Sequence, residues 1–270
     1  MKYNLFFSLG EACSSSTALR SNKLQKASYP FDWVAGGTIL DRVNILCSEF
    51  DEYFEKEDLK YHSSRKEPEP KDIYFNSKHK MIFNHDFTLN GSFVDEYPKV
   101  RAKYNRRAKR LIKSIKDSKK ILVLYLLLSE PKVKFSEDIV LNAYNKLTQT
   151  FGNKFDFLIL RCNLSLGKDK IIKKQINNNI TLMELDYKTD DLATYDIQKI
   201  DNILKDFELK LTLKQKIKKL IFSILNILID KNCLTLHIFL FLKARIMRVK
   251  IYIFKKQLDI CIGSNKPIKR

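Results

Sequence analysis

The chain has 270 residues, of which 44% are hydrophobic and 11% aromatic, so it can bury a substantial core and is not an intrinsically disordered protein. Its formal net charge of +19 is concentrated near one end, where residues 209–270 carry 15 of the 50 Lys and Arg residues but only two of the 31 acidic ones. The other residues have the modest positive excess of an ordinary domain, so composition does not indicate a nucleic-acid partner.

The first elements of the chain place a cysteine at a junction. Residues 3–9 are rich in aromatic and apolar side chains and predict a buried strand, and residues 11–20 predict a helix. Cys13 then lies where the helix begins, and backbone N–H groups at such a position lower the pKa of a thiol. The pattern makes Cys13 a candidate nucleophile, with the N–H groups of Ala12 and Cys13 as a possible oxyanion hole.

The next part of the chain predicts a loop, a hairpin and a long helix. Residues 62–71 are polar and contain two prolines, which predicts an exposed loop. Residues 73–76 and 81–83 predict a short hairpin that leads to His85. Residues 94–116 have apolar side chains at helical spacing among many Lys and Arg, which predicts a basic amphipathic helix.

Three apolar runs in the central part predict strands buried on both faces, at residues 120–129, 155–162 and 180–185. Residues 137–150 between the first two runs predict a helix, and residues 168–176 predict one or two helical turns. The β–α–β order predicts an α/β domain over residues 1–208, with a mainly parallel, Rossmann-like sheet and flanking helices.

Residues 209–270 predict a separate basic amphipathic helical tail, because Leu and Ile recur at helical spacing among Lys and Arg. The tail has two apolar stretches, one on each side of residues 230–232, and neither reaches the roughly 20 residues needed to span a bilayer without a charge. An anionic membrane surface, a protein partner or second copy, and nucleic acid are the alternatives. Long apolar runs such as LHIFLFL favour the membrane surface. We therefore expect a cytoplasmic protein at the inner face of the membrane, near lipid-linked substrates such as those of surface-glycan assembly.

The sequence predicts no metal and no cofactor. Five cysteines are widely spaced and form no CxxC or Cys/His cluster, so neither a disulfide framework nor a zinc site is indicated. Neither GxGxxG nor GxxxxGK[ST] occurs, which argues against dinucleotide and P-loop functions. The short apolar run at the N-terminus is interrupted by Glu11, so a cleaved signal peptide is not expected and a reducing cytoplasm is the simplest compartment.

Four short motifs in the first 90 residues form a pattern: SLGEAC at 8–13, LR at 19–20, S-x-PFDW at 28–33 and HDF at 85–87. With them, residues 3–190 resemble the bacterial family of putative papain-like cysteine peptidases, a domain of unknown function. The resemblance implies that Cys13 is the nucleophile and His85 its base. It does not extend to the basic tail.

A thiolate nucleophile needs a base within hydrogen-bond reach and usually a third group that orients the base. Asp32 in PFDW is the predicted orienting group, with Arg20 as an alternative partner for the same carboxylate. Asn84 and Asp86 adjoin His85, and neighbouring side chains on a regular strand point to opposite faces, which argues against them as orienting groups.

Four further residues are predicted to contact the substrate. Gly10 suits a tight turn or a close approach of substrate. Arg20 could bind an anionic group, and Trp33 and Asp86 belong to the motifs that surround the predicted pair.

These residues favour a Cys/His-dependent hydrolase or acyl-type transferase that acts on an amide, ester or thioester. This hypothesis predicts a partly exposed Cys13 near His85. A glycan-biosynthesis transferase with a structural Cys13 would instead have a cleft lined by Arg20 and Asp32, with Cys13 buried. A non-enzymatic membrane adaptor would have a closed pocket.

Overall fold

The computed structural model describes residues 1–127, 135–167, 170–186 and 197–211, nearly all within the unit Met1–Lys210. The tail from residue 212 onward, with its predicted amphipathic helices, lies outside the described residues. The division of the chain at residue 208 therefore stays a prediction. No helix in the described part is long and apolar enough to cross a membrane.

The described residues form five helices, α1 (Cys13–Ser21), α2 (Ile39–Cys47), α3 (Phe93–Asp117), α4 (Glu137–Phe151) and α5 (Ile197–Leu204). Their strands are β1 (Lys2–Tyr3), β2 (Leu5–Ser8), β3 (Val34–Gly36), β4 (Leu59–Arg65), β5 (Lys71–Asn76), β6 (Met81–Thr88), β7 (Ile121–Leu126), β8 (Phe155–Cys162), β9 (Ile171–Asn177), β10 (Ile180–Leu185) and β11 (Glu208–Leu209). One-turn 3₁₀ helices span Pro30–Trp33, Lys56–Asp58 and Leu164–Leu166.

The largest sheet has the order β2-β7-β8-β10-β9, and its first four strands are parallel. All six residues of β7 are buried. Ile121, Val123 and Tyr125 pack into one apolar cluster, and Leu122, Leu124 and Leu126 pack into the other. Burial on both faces explains why the strand is a continuous apolar run. The predicted mainly parallel α/β sheet is confirmed.

Helices cover the two faces of this sheet. The apolar sides of α3 and α4 lie in the first cluster, and those of α1 and α5 lie in the second. The helix α4 connects the parallel strands β7 and β8, as the predicted β–α–β unit requires. This arrangement sets the amino end of α1 beside the carboxyl ends of β2 and β7, where sites gather in parallel sheets.

A second, antiparallel sheet has the order β3-β6-β5-β4. One of its faces packs Tyr74, Phe83 and Phe87 into the first apolar cluster. The pairing of β5 with β6 is irregular: Tyr74 pairs with Phe83 and Asp72 with Phe87, so three residues of β6 lie opposite Ile73 alone. Such a bulge re-aims side chains, and it falls on residues 84–86.

Three predicted elements differ from the structure. Residues 171–177 form the edge strand β9, antiparallel to β10, and not helical turns. The predicted loop 62–71 begins inside β4, and the single predicted strand 3–9 is split at Asn4 into β1 and β2, which pair with different strands. In each case strand pairing decides the conformation, and such pairing leaves little signature in the sequence of a polar or short segment.

Candidate active site

Cys13 is the first residue of α1 and is 7% exposed. Ala12 before it has extended backbone angles and contributes no side-chain cap, and the first turn contains no acidic residue. Ala12 therefore offers no side-chain acceptor to the first N–H groups of α1, and N–H groups at the start of a helix favour negative charge. Cys13 thus occupies the junction that the sequence predicted.

Gly10 allows α1 to approach the sheet. A Cβ atom on Gly10 would lie 1.7 Å from Oγ of Ser15 and 3.1 Å from the carbonyl oxygen of Leu126. Ser15 Oγ in turn accepts a hydrogen bond from the N–H of Leu126, at 3.2 Å. Gly10 thus permits a close approach of α1 to the sheet, and not the predicted approach of a substrate. It is not among the residues that line the cleft described below.

Asp32 has no solvent exposure, and its Oδ2 atom accepts three hydrogen bonds. The donors are Nη2 of Arg20 at 2.7 Å, Nε2 of Gln25 at 2.6 Å and the N–H of Tyr29 at 2.8 Å. Burial raises the pKa of this carboxyl above its usual value, and the three donors oppose the shift. Among the described residues no hydrogen bond joins Asp32 to His85, so the prediction that Asp32 binds and orients His85 directly is wrong. The carboxylate instead forms an ion pair with Arg20, the predicted alternative.

Arg20 and Trp33 nevertheless link Asp32 to His85. The guanidinium of Arg20 lies over the Trp33 ring, 5.3 Å from its centroid. The Trp33 ring meets the His85 ring edge to face, with 5.5 Å between centroids and an interplanar angle of 75°. Asp32 therefore holds Arg20, Arg20 packs on Trp33, and Trp33 packs on the imidazole.

Ser16 joins the turn of the cysteine to the PFDW turn. Its hydroxyl lies 2.9 Å from the carbonyl oxygen of Cys13 and 2.7 Å from that of Asp32, within hydrogen-bond distance of both. The two motifs are thus tied by a buried side chain, which keeps the start of α1 in register with Trp33.

A cleft of about 920 Å³ brings the candidate residues together. Its lining residues come from α1, the PFDW turn, the antiparallel sheet and α3: Ala12, Cys13, Trp33, Val34, Ala35, Arg65, Glu67, Pro68, Glu69, Ile73, Asn84, His85, Asp86, Lys103 and Arg107. Of the predicted site residues, Cys13, Trp33, His85 and Asp86 line it. Arg20 and Asp32 lie behind Trp33 and are not lining residues.

The bulge in β6 explains why three consecutive residues, Asn84, His85 and Asp86, all line this cleft. The expectation that Asp86 points away from His85 assumed a regular strand and does not apply here. Asp86 is nevertheless engaged elsewhere. Its side chain, 2% exposed, forms an ion pair with Lys103 and accepts a hydrogen bond from the Tyr104 hydroxyl at 2.8 Å.

Charge and burial set the protonation of His85. Burial lowers the pKa of its imidazole below the usual 6.5, and Arg65 and Lys71 lower it further. Asp86 and Glu69 raise the pKa but do not outweigh these effects. The ring is therefore neutral near pH 7 and can accept a proton.

This shift predicts a pH dependence of stability. Below about pH 6.5 the unfolded chain binds a proton that the folded state resists, so the free energy of unfolding should fall as pH falls through this region. Urea unfolding of wild type and His85→Gln at pH 7.5 and 5.5 measures the effect, and the variant should lose less stability. His62→Gln, on the exposed side of β4, should behave as wild type. An equal loss in wild type and His85→Gln would contradict the prediction.

Sequence reasoning missed a buried arginine behind the PFDW turn. Arg42 has no solvent exposure and donates hydrogen bonds to the carbonyl oxygens of Val34 at 3.0 Å and Gly36 at 2.7 Å. Its guanidinium lies 5.4 Å from the centroid of the Phe31 ring, and burial lowers its pKa. An arginine in the apolar helix ILDRVNILC was the available signal, since a charge on a buried face requires partners.

Sequence reasoning also missed the cations of the cleft wall, Arg65, Lys103 and Arg107, because they come from a predicted loop and a predicted solvated helix face. No metal site accompanies them: within the described ranges no group of three or more His, Cys, Asp or Glu side chains could hold a metal ion.

Comparison with known proteins gives one match. A family model described as putative papain-like cysteine peptidase matches residues 4–165, which is more than half of the chain. A search of curated proteins and a search of solved structures found no match. The matched range contains every lining residue of the cleft.

Proposed function

Because the chain belongs to the putative papain-like cysteine peptidase family, we propose that it is a Cys/His-dependent hydrolase or acyl-type transferase. The observation that supports this proposal is that Cys13 and His85 line the same cleft, which has a volume of about 920 Å³. A nucleophile and a base on one cleft are the minimum that thiol catalysis requires.

The neutral imidazole of His85 accepts the proton of the Cys13 thiol, and the thiolate attacks the carbonyl carbon of an amide, ester or thioester. The first N–H groups of α1 stabilise the oxyanion of the tetrahedral intermediate. Protonated His85 then donates its proton to the leaving amine, alcohol or thiol, and an acyl thioester remains on Cys13. Water completes hydrolysis, or another nucleophile completes acyl transfer.

No carboxylate binds the His85 ring among the described residues, so orientation falls to packing. Trp33 contacts the imidazole edge to face, and Arg20 and Asp32 hold Trp33 from behind. In this proposal Asp32 is a positioning residue that acts through Arg20 and Trp33.

The glycan-transferase alternative expected a cleft lined by Arg20 and Asp32, and neither residue is among the lining residues. The adaptor alternative expected a closed pocket. The cleft composition therefore favours the Cys/His enzyme, but the exposure of Cys13 does not. Cys13 is only 7% exposed, which contradicts the partly exposed thiol expected of the enzyme and matches the buried Cys13 expected of the transferase. The Rossmann-like interpretation of the parallel sheet, the membrane-surface role of residues 209–270 and a setting in surface-glycan assembly remain part of the proposal.

The experiment is alkylation of Cys13 by iodoacetamide between pH 5 and 9, followed by mass spectrometry of the peptide that contains Cys13. In wild type the rate should titrate well below the pKa of about 8.5 of an ordinary thiol. In His85→Ala the titration should move up towards that value, and the rate at pH 6 should fall by about tenfold or more.

His62→Ala is the matched control, because His62 is an exposed histidine on β4 that does not line the cleft. Cys47 and Cys162, which are also free thiols, serve as internal references in the same digests. An ordinary Cys13 titration that His85→Ala leaves unchanged would overturn the proposed function.

A further inference from the structure

The cleft wall beside Cys13 carries three cationic side chains, Arg65, Lys103 and Arg107. Lys103 is neutralised by its ion pair with Asp86. Arg65 makes one hydrogen bond, from Nε to the carbonyl oxygen of Glu69 at 3.3 Å, and has no carboxylate partner within the described part of the chain. Two guanidinium groups in the same cleft, those of Arg65 and Arg107, therefore keep their charge without a carboxylate partner among the described residues.

Arg107 is held in place without being neutralised. Its guanidinium lies 5.5 Å from the centroid of the Tyr104 ring, and the Tyr104 hydroxyl is in turn fixed by Asp86. Its Nη1 atom is buried and has no hydrogen-bond partner among the described residues. A guanidinium that is positioned by stacking but lacks an acceptor is prepared to bind an anion, because its planar donors match a carboxylate or phosphate.

The carboxylates on the cleft do not cancel these charges. Asp86 is committed to Lys103 and Tyr104. Glu67 and Glu69 belong to the exposed turn between β4 and β5, where water and salt screen them. The first turn of α1, which contains no acidic side chain, adds positive potential at the same cleft.

We propose that the cleft binds a substrate whose acyl portion carries an anionic group, a carboxylate or a phosphate, close to the bond that Cys13 attacks. Arg107 and Arg65 bind this group. The inference rests on the proposed function and deepens it, because it specifies which acyl compounds the Cys/His pair would accept.

Two alkylating reagents of similar size test the proposal, since iodoacetate is anionic and iodoacetamide is neutral. Both react with the same thiolate, so the ratio of their rates at Cys13 cancels the reactivity of the thiol itself. In wild type the iodoacetate-to-iodoacetamide ratio should exceed that of N-acetylcysteine amide by about tenfold at low salt and should fall as salt is added.

The variants Arg65→Gln and Arg107→Gln should each lower this ratio several-fold, and together they should abolish the preference. Arg106→Gln is the matched control, since Arg106 precedes Arg107 on α3 but is exposed and is not a lining residue. Added acetate and inorganic phosphate, compared as competitors, distinguish a carboxylate site from a phosphate site. A wild-type ratio equal to that of the small thiol and unaffected by the two substitutions would overturn the proposal.

The two proposals can fail separately. An ordinary iodoacetamide pH profile together with an elevated ratio would remove the catalytic pair and keep the anion site. If Cys13 reacts with neither reagent, calorimetric titration of the full chain with inorganic phosphate decides. Saturable binding that the double variant weakens about tenfold supports the site; no difference between wild type and the double variant overturns it.

Discussion

Replacing Gly10 by alanine is expected to lower the free energy of unfolding by about 3 kcal/mol or more. The new methyl group would lie 1.7 Å from Ser15 Oγ and 2.7 Å from Ser15 Cβ. Ser15 cannot turn aside freely, because it is fully buried and accepts the N–H of Leu126. The start of α1 would have to move away from the sheet, and Cys13 would move with it.

Urea unfolding followed by Trp33 fluorescence measures this loss, since Trp33 is the only tryptophan of the chain and lies in the site. Ser15→Gly removes the two nearest of the three atoms that a new Cβ would meet, so the double variant should be clearly less destabilised than the sum of the single ones. Gly152→Ala is a control without a steric clash, because nothing lies within 4 Å of its Cβ position. There the backbone, at φ 88° and ψ 166°, lies in a region that essentially only glycine adopts, and this alone should cost about 1–3 kcal/mol. Additive effects of Gly10→Ala and Ser15→Gly would contradict the packing argument.

Replacing Asp32 by alanine is expected to destabilise the protein by about 3 kcal/mol. The substitution removes the acceptor of three donors: the buried N–H of Tyr29 would be left without a partner, and the buried Nε2 of Gln25 would keep only the carbonyl oxygen of Ala27. The Arg20 side chain is one third exposed and can be solvated by water, so the loss of its ion pair with Asp32 contributes less to the destabilisation.

Asp32→Asn is the matched variant, because all three donors bind one oxygen, Oδ2, and an amide oxygen can replace it. Its cost should be at most about 1 kcal/mol. Burial raises the Asp32 pKa, so the folded state binds a proton more readily than the unfolded chain, and stability should fall as pH rises upward from about 3.8. Asp32→Asn should lack this component. Equal costs for the alanine and asparagine variants would show that the acceptor oxygen is not what Asp32 contributes.

Both substitutions change residues that position the candidate site without lining the cleft. Gly10 sets how closely α1 approaches the sheet and hence where Cys13 lies, whereas Asp32 holds Arg20 against Trp33 and Trp33 against His85. Ser16 connects the two routes through the carbonyl oxygens of Cys13 and Asp32. A loss of Cys13 alkylation in Asp32→Asn with little loss of stability is therefore the expected signature of a positioning residue.

Much of the fold was predictable from local pattern. The apolar runs gave β8 (Phe155–Cys162) and β10 (Ile180–Leu185) with the predicted bounds, and helical spacing gave α3 and α4 to within one residue at each end. These segments are buried on one face or on both faces, so the spacing of their apolar residues indicates their secondary structure. The edge strand β9 is mostly exposed and has no such apolar spacing, because its conformation is determined by pairing with β10.

The sequence by itself determined most of the buried strands and helices and the position of Cys13 at the start of a helix, because both follow from the order of neighbouring side chains. Of the seven predicted site residues, Cys13, Trp33, His85 and Asp86 line one cleft, whereas Gly10, Arg20 and Asp32 do not. Only the tertiary structure decided that Asp32 binds Arg20 and that a bulge turns three consecutive residues of β6 to the cleft. It also decided that Arg65 and Arg107 meet Cys13 there. Those features depend on strand pairing and on side-chain packing in the folded chain, which a local pattern does not encode.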